Sequence, residues 1–182
     1  MFPNGTRPMP WPACSPQGFG PRGRQATLVA IGCFGLAVGV LVYVTDRAGA
    51  KGILLPIVDS LAGAQLFGVI GLWLPSFVHP FAFSLFTAAA LPSRWAPRYG
   101  ACIAWFAVNA AFEVGQHPLV RSHVATALDE GFGHAALVQP LANYFLRGTF
   151  DVIDIVGAAL GAVAAAVVLR LMRPAQEDRH VS

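Results

Sequence analysis

An all-α polytopic membrane helix bundle is the fold this sequence predicts, with about four transmembrane helices plus a re-entrant or interfacial segment. Three observations predict it. Only 12% of the 182 residues are charged, against about 25% in a soluble domain. The mean hydropathy is +0.59, and apolar runs of membrane-crossing length recur along the chain. Eleven of the twelve basic residues are arginines, scattered at segment ends. That is how topology signals are distributed. They form no single basic face, so no nucleic-acid partner is expected. The length suits one compact unit.

Residues 1–24 are rich in proline and read as an extended cytoplasmic tail. A single transmembrane domain follows over 25–173, and 174–182 form a second cytoplasmic tail. The first span covers 26–44, without a charge. Arg22 and Arg24 before it also fit a signal peptide, but an h-region has only about 7–15 apolar residues, which favours a retained helix. Gly35 and Gly39, four apart, allow close approach of a neighbour.

The second apolar stretch, 61–91, holds no charged residue but is interrupted by Pro75, His79 and Pro80. One helix of that length would reach about 45 Å at 1.5 Å per residue, beyond the roughly 30 Å hydrocarbon core. The expected solution is broken: a re-entrant or interfacial segment at 61–74, an interruption at Pro75 to Pro80, and a crossing within 75–92. The third span covers 99–116 and stops before Pro118. A long extracytoplasmic loop, 117–150, contains an apolar stretch, Leu137 to Leu146, broken by Pro140, with Tyr144 and Phe145 suited to the headgroup level. The fourth span, 151–172, carries Gly157-xxx-Gly161 and a run of alanines, so it should pack centrally.

Four spans place both termini on one face. With them lie Arg7, Arg22, Arg24, Arg94, Arg98, Arg170, Arg173 and Arg179, leaving Arg47, Lys51, Arg121 and Arg147 opposite. The positive-inside rule then puts both termini in the cytoplasm of a cell whose inner membrane holds the bundle. Cys14, Cys33 and Cys102 are too scattered for a disulfide framework or a zinc motif, and no cofactor is expected.

The polar residues inside the apolar runs carry the functional signal. His79 lies 15 residues before Arg94, Glu113 lies 15 after Arg98, and Asp154 lies 16 before Arg170. Three groups at one depth predict a shared pocket, because an isolated charge in hydrocarbon costs roughly 2.5–3.5 kcal/mol even on the mild insertion scale. Asn109, Glu113 and Gln116 share a helix face by their spacing of four and three, and His117 would join them if the helix lasted one residue more. Asp151 and Asp154 are three apart, with Arg147 one turn earlier, placed to pair with Asp151. The predicted pocket is therefore His79, Asn109, Glu113, Gln116, Arg147, Asp151 and Asp154, with Arg147 at its mouth. Ser76 and Ser84 stand without a nucleophile motif, so no catalytic residue is assigned. Hydrogen bonds among the cluster could also simply hold the helices in register.

In this order the motifs resemble those of the VanZ-like membrane proteins: His79, then Glu113-Val-Gly-Gln116, then Arg147-Gly-Thr-Phe-Asp151-Val-Ile-Asp154 running into Gly157 and Gly161. The likeness covers about residues 75–165. Residues 76–78 lack the Asp-Lys common in that family, and Ala158 stands where Asn is frequent. The resemblance implies a role in the bacterial cell envelope, one member being linked to teicoplanin resistance. Three functional readings stay open. In the first, the pocket binds a lipid head group or lipid-linked envelope precursor. In the second, the chain is an accessory subunit of a larger membrane complex, its tail, long loop and glycine faces touching other subunits. In the third, it is an acid–base or metal-assisted enzyme acting on lipid.

Overall fold

The computed structural model describes residues 20–46, 65–92, 94–132 and 138–173. The tails outside this range, and residues 47–64 with the start of the predicted 61–74 segment, lie outside the described residues. Within them the chain forms six helices and no strand: α1 Pro21–Asp46, α2 Ile70–Ala90, α3 Trp95–Gly115, α4 Arg121–Phe132, α5 Val138–Arg147 and α6 Val152–Leu171. Three of these, α1, α2 and α6, are long and apolar enough to cross a membrane. α3 is as long as α2 but is diluted by Arg98, Asn109 and Glu113.

α2 is the hub, with α1, α3 and α6 all packed on it, and α3 also packs on α6. The small residues set these contacts. A Cβ at Gly35 would lie 3.2 Å from the Phe81 ring, and one at Gly39 would lie 3.0 Å from Val78, so the glycine face of α1 is spent on α2. On α6, a Cβ at Gly157 would come within 3.2 Å of the Trp73 carbonyl, and one at Gly161 would collide with the Phe77 carbonyl. Backbone meets backbone there, as small-xxx-small spacing permits. The glycine faces considered above for other subunits are thus covered within the chain.

α2 departs from the predicted break. It starts at Ile70 and continues through Pro75 and Pro80 to Ala90. A helix-interior proline loses one hydrogen bond and crowds the preceding turn, at about 3 kcal/mol. Membrane helices tolerate this where neighbours pack against the interrupted backbone. Here Gly157 and Gly161 bring α6 onto residues 73–77, on either side of Pro75, and Pro80 is itself fully buried.

Polar side chains fasten the helix ends. Asp46 accepts the Thr45 hydroxyl at 2.7 Å and the Phe67 N–H at 3.1 Å, tying the end of α1 to the start of α2. Arg98, read as a topology charge, is only 5% exposed. Its guanidinium donates to the carbonyls of Leu91 and Pro92, at the C-terminus of α2, where a cation also complements the helix dipole. Trp105 donates to Thr87 at 2.9 Å and stacks on Phe83, joining α3 to α2.

The long loop is an α4–α5 helical pair. Pro140 does not break α5, because it sits in the first turn, where backbone N–H groups have no helical acceptor. α5 buries Val138, Ala142 and Phe145 along one face. Phe145 stacks on Phe112 at 5.6 Å and fills the space left by Gly115, docking α5 on the end of α3.

The best-packed core lies where α1 begins and α6 ends: Leu28, Leu85, Ala88, Ala89, Cys102, Ala162, Ala165 and Leu169. Outward, α6 shows the reverse of a water-soluble helix. Val156, Leu160, Val163, Val167 and Leu171 form an exposed stripe, while glycine and alanine face inward. Phe34 on α1 is 73% exposed and Ile103 on α3 is 69% exposed. Contiguous apolar surface on this scale fits acyl chains as its solvent.

Candidate functional site

At the opposite end of the bundle, the end of α1, the start of α2, the end of α3 and the start of α6 surround a cavity of about 630 Å³. All seven sequence-predicted residues line it. α2 contributes Ser76 and His79, three apart and on one face. α3 contributes Asn109 and Glu113, with Gln116 just beyond its end. α5 supplies Tyr144 and Arg147, and α6 supplies Asp151 and Asp154. Tyr43 closes the α1 side and Phe112 the α3 side.

Local backbone chemistry places the acids. Asp151 is extended (φ −134°, ψ 120°) and caps α6, accepting the Ile153 N–H at 2.8 Å. Asp154 sits in the first turn, where a carboxylate gains from the helix dipole by about 0.3–1 kcal/mol. It also accepts the Ser76 hydroxyl at 2.7 Å, which ties α6 to α2. Glu113 accepts the Asp151 N–H at 3.3 Å, tying α3 to α6, and the charges of Asp154 and Asp151 both bear on it. Three carboxylates from two helices therefore stand together, each with one oxygen held by the protein.

The amides and rings set the walls. Asn109 donates back to the Trp105 carbonyl at 2.8 Å. Gln116 is 6% exposed and donates to the Tyr144 hydroxyl at 2.9 Å. Its carbonyl oxygen abuts the Gly148 Cα, where any side chain would collide. His79 is exposed to the cavity, its ring stacked with Phe83 at 6.2 Å. Among the described residues neither His79 nor Arg147 has a hydrogen-bond or ion-pair partner. The expected Arg147–Asp151 pair therefore does not form: α5 ends at Arg147, residues 148–150 are not helical, and Asp151 is turned to its capping role. His117 is also outside the cavity wall; the chain leaves the helix at Gln116, and the imidazole turns to Phe150 and the Leu119 N–H.

Among the described residues no three His, Cys, Asp or Glu side chains converge to hold a metal ion.

Sequence reasoning did not place Ser76, Tyr43, Tyr144 or Gly148 in the pocket, although all four line it. Ser76 was the most legible of these, since it lies one turn before His79, but only on a helix that continues through Pro75. Tyr144 could be found three residues before Arg147 on α5. Gly148 has no signal until Gln116 is seen against it.

Comparison of the chain with protein-family models, with curated proteins and with solved structures gives no match. The VanZ-like resemblance accordingly stands on the order of its motifs alone.

Proposed function

We propose that the protein is a multi-pass membrane protein whose polar cavity binds the head group of an amphiphile. In this reading α3 crosses alongside α1, α2 and α6. Both termini face the cytoplasm, and the cavity opens near the outer surface of the inner membrane. The VanZ-like motif order agrees with a cell-envelope ligand. The observation that carries the reading is convergence: all seven of the polar residues singled out by spacing, drawn from α2, α3, α5 and α6 or the residues beside them, line one cavity. Its size falls within the roughly 300–1,000 Å³ of small-ligand sites. Helix-register bonds alone would need no such volume.

The test replaces Glu113 with Gln and, separately, Asp154 with Asn in the purified full chain, and measures co-purifying and added lipids by mass spectrometry. Loss of at least tenfold in retained lipid, with folding preserved, supports the reading. Unchanged lipid retention in both variants sinks it. Orientation is checked with Thr149→Cys in a background lacking the natural cysteines: an impermeant maleimide added to intact cells should label it.

A further inference from the structure

The α4–α5 pair is polarised along its length. Its helices run antiparallel: the Arg121 guanidinium reaches the Leu146 carbonyl at one end, and Gln139 donates to the Asp129 carboxylate towards the other. Arg121 and Arg147 therefore share the end beside the polar cavity, while Asp129 and Glu130 lie near the far end. Arg147 lines the cavity and Arg121 stands just outside its wall.

Helix capping occupies little of this pair. A guanidinium carries five N–H donors. Arg121 spends one on the Leu146 carbonyl, at the C-terminus of α5, and among the described residues neither arginine has an ion-pair partner. The connector into α6 adds donors of its own. Among the described residues the N–H groups of Thr149 and Phe150 and the Thr149 hydroxyl have no acceptor. The carboxylates deeper in the wall are engaged elsewhere: Glu113 shares a side-chain hydrogen bond with Asp154, and Asp151 caps α6. Positive charge and N–H donors thus gather at the mouth. A phosphate group, whose oxygens accept from planar guanidinium forks, is the chemistry they match.

The neighbouring side chains point to a lipid as the source of that phosphate. Leu119, 77% exposed, lies two residues before Arg121, and Leu146, 43% exposed, immediately precedes Arg147. Exposed leucines beside cations are what an interfacial helix presents, the leucines to acyl chains and the cations to head groups.

We infer that Arg121 and Arg147 form a site for a phosphate group, carried by a membrane lipid at the cavity mouth. This rests on the membrane placement proposed above and names the part of the head group held there. The probes are phosphatidic acid, diacylglycerol with the same chains, and inorganic phosphate, titrated against the purified full chain by native mass spectrometry. Phosphatidic acid should bind at least tenfold more tightly than diacylglycerol. Arg147→Gln and Arg121→Gln should each weaken phosphatidic acid about tenfold, as losing one charge-assisted contact does, and leave diacylglycerol unchanged. Arg170→Gln, at the opposite end of the bundle, should change neither. Glutamine at 121 keeps an amide donor for the Leu146 carbonyl, and thermal unfolding checks that each variant is folded.

Equal binding of phosphatidic acid and diacylglycerol overturns the phosphate assignment. A loss in Arg170→Gln as large as that in Arg147→Gln overturns the site, because the attraction is then general to basic residues. Inorganic phosphate that binds as tightly as phosphatidic acid, with the same dependence on Arg147, overturns the lipid source. If the arginine variants keep phosphatidic acid while Glu113→Gln and Asp154→Asn lose it, the head-group cavity stands and the phosphate site is wrong. If the arginine variants lose it and the acid variants do not, the phosphate site stands and the cavity reading has failed.

Discussion

Where α1 begins and α6 ends, the four long helices meet through Leu28, Leu85, Ala88, Cys102, Ala165 and Leu169, all nearly inaccessible. At the other end the same helices meet through Tyr43, Ser76, His79, Asn109, Glu113 and Asp154 around about 630 Å³ of open space. Between the ends, Gly157 and Gly161 clamp α6 to the backbone of α2. The difference teaches a division of labour. Close-packed apolar contacts and the glycine clamp hold the bundle, which leaves the far end free to keep charges and volume that packing alone would remove. Polar contacts between membrane helices contribute only about 0.6 kcal/mol each on average, so the cavity end is a poor source of stability.

The comparison breaks most readily at the packed end. Leu85→Ala and Leu169→Ala each remove a fully buried side chain, and each should cost about 2–5 kcal/mol. Reversible unfolding in mixed detergent measures this. A cost below 1 kcal/mol for both would mean that this end does not hold the bundle. Next in size is the clamp. Gly161→Ala places a methyl group against the Phe77 carbonyl, an atom that cannot swing aside, and overpacking of this kind costs about 1–3 kcal/mol. The same substitution at Gly100, whose Cβ would meet nothing, serves as the control.

This division also explains which parts of the molecule were legible in the sequence. Helical class and the shared depth of His79, Glu113 and Asp154 follow from spacing against the arginines, because helical rise converts residue number into height. The inward faces of α1 and α6 follow from their glycines. The continuity of α2 was not legible: Pro75 and Pro80 read as a break until α6 is known to pack on the backbone on either side of Pro75. The tying roles of Asp46 and Arg98 were not legible because the N–H and carbonyl they satisfy lie 21 and 7 residues away in the chain. The Arg147–Asp151 pair was a helical-spacing argument applied where residues 148–150 are not helical. Each miss concerns a backbone group freed at a helix end or proline, whose partner depends on tertiary packing.

At the cavity end the expected stability effects shrink. Asp151→Ala removes the N-cap of α6 and should cost about 1 kcal/mol, the usual value for losing a cap. Asp151→Asn, which keeps an acceptor for the Ile153 N–H, should recover most of it. If both variants lose the same amount, the carboxylate charge rather than the capping oxygen fixes the start of α6.

The smallest stability effect is expected at Glu113, one of the two residues whose replacement tests the proposed binding. Glu113→Gln keeps an oxygen to accept the Asp151 N–H and removes a charge on which Asp151 and Asp154 both bear. Losing one weak acceptor contact and gaining relief from like-charge repulsion should nearly cancel, leaving a change within about 0.5 kcal/mol. Lipid retention should nevertheless fall at least tenfold. Function without stability at one end and stability without function at the other is the pattern of a site maintained against the packing optimum. A loss above about 2 kcal/mol in Glu113→Gln, measured in the same unfolding assay, is the size left by breaking a needed buried hydrogen bond. That outcome would make Glu113 a structural tie and erase the contrast between the two ends.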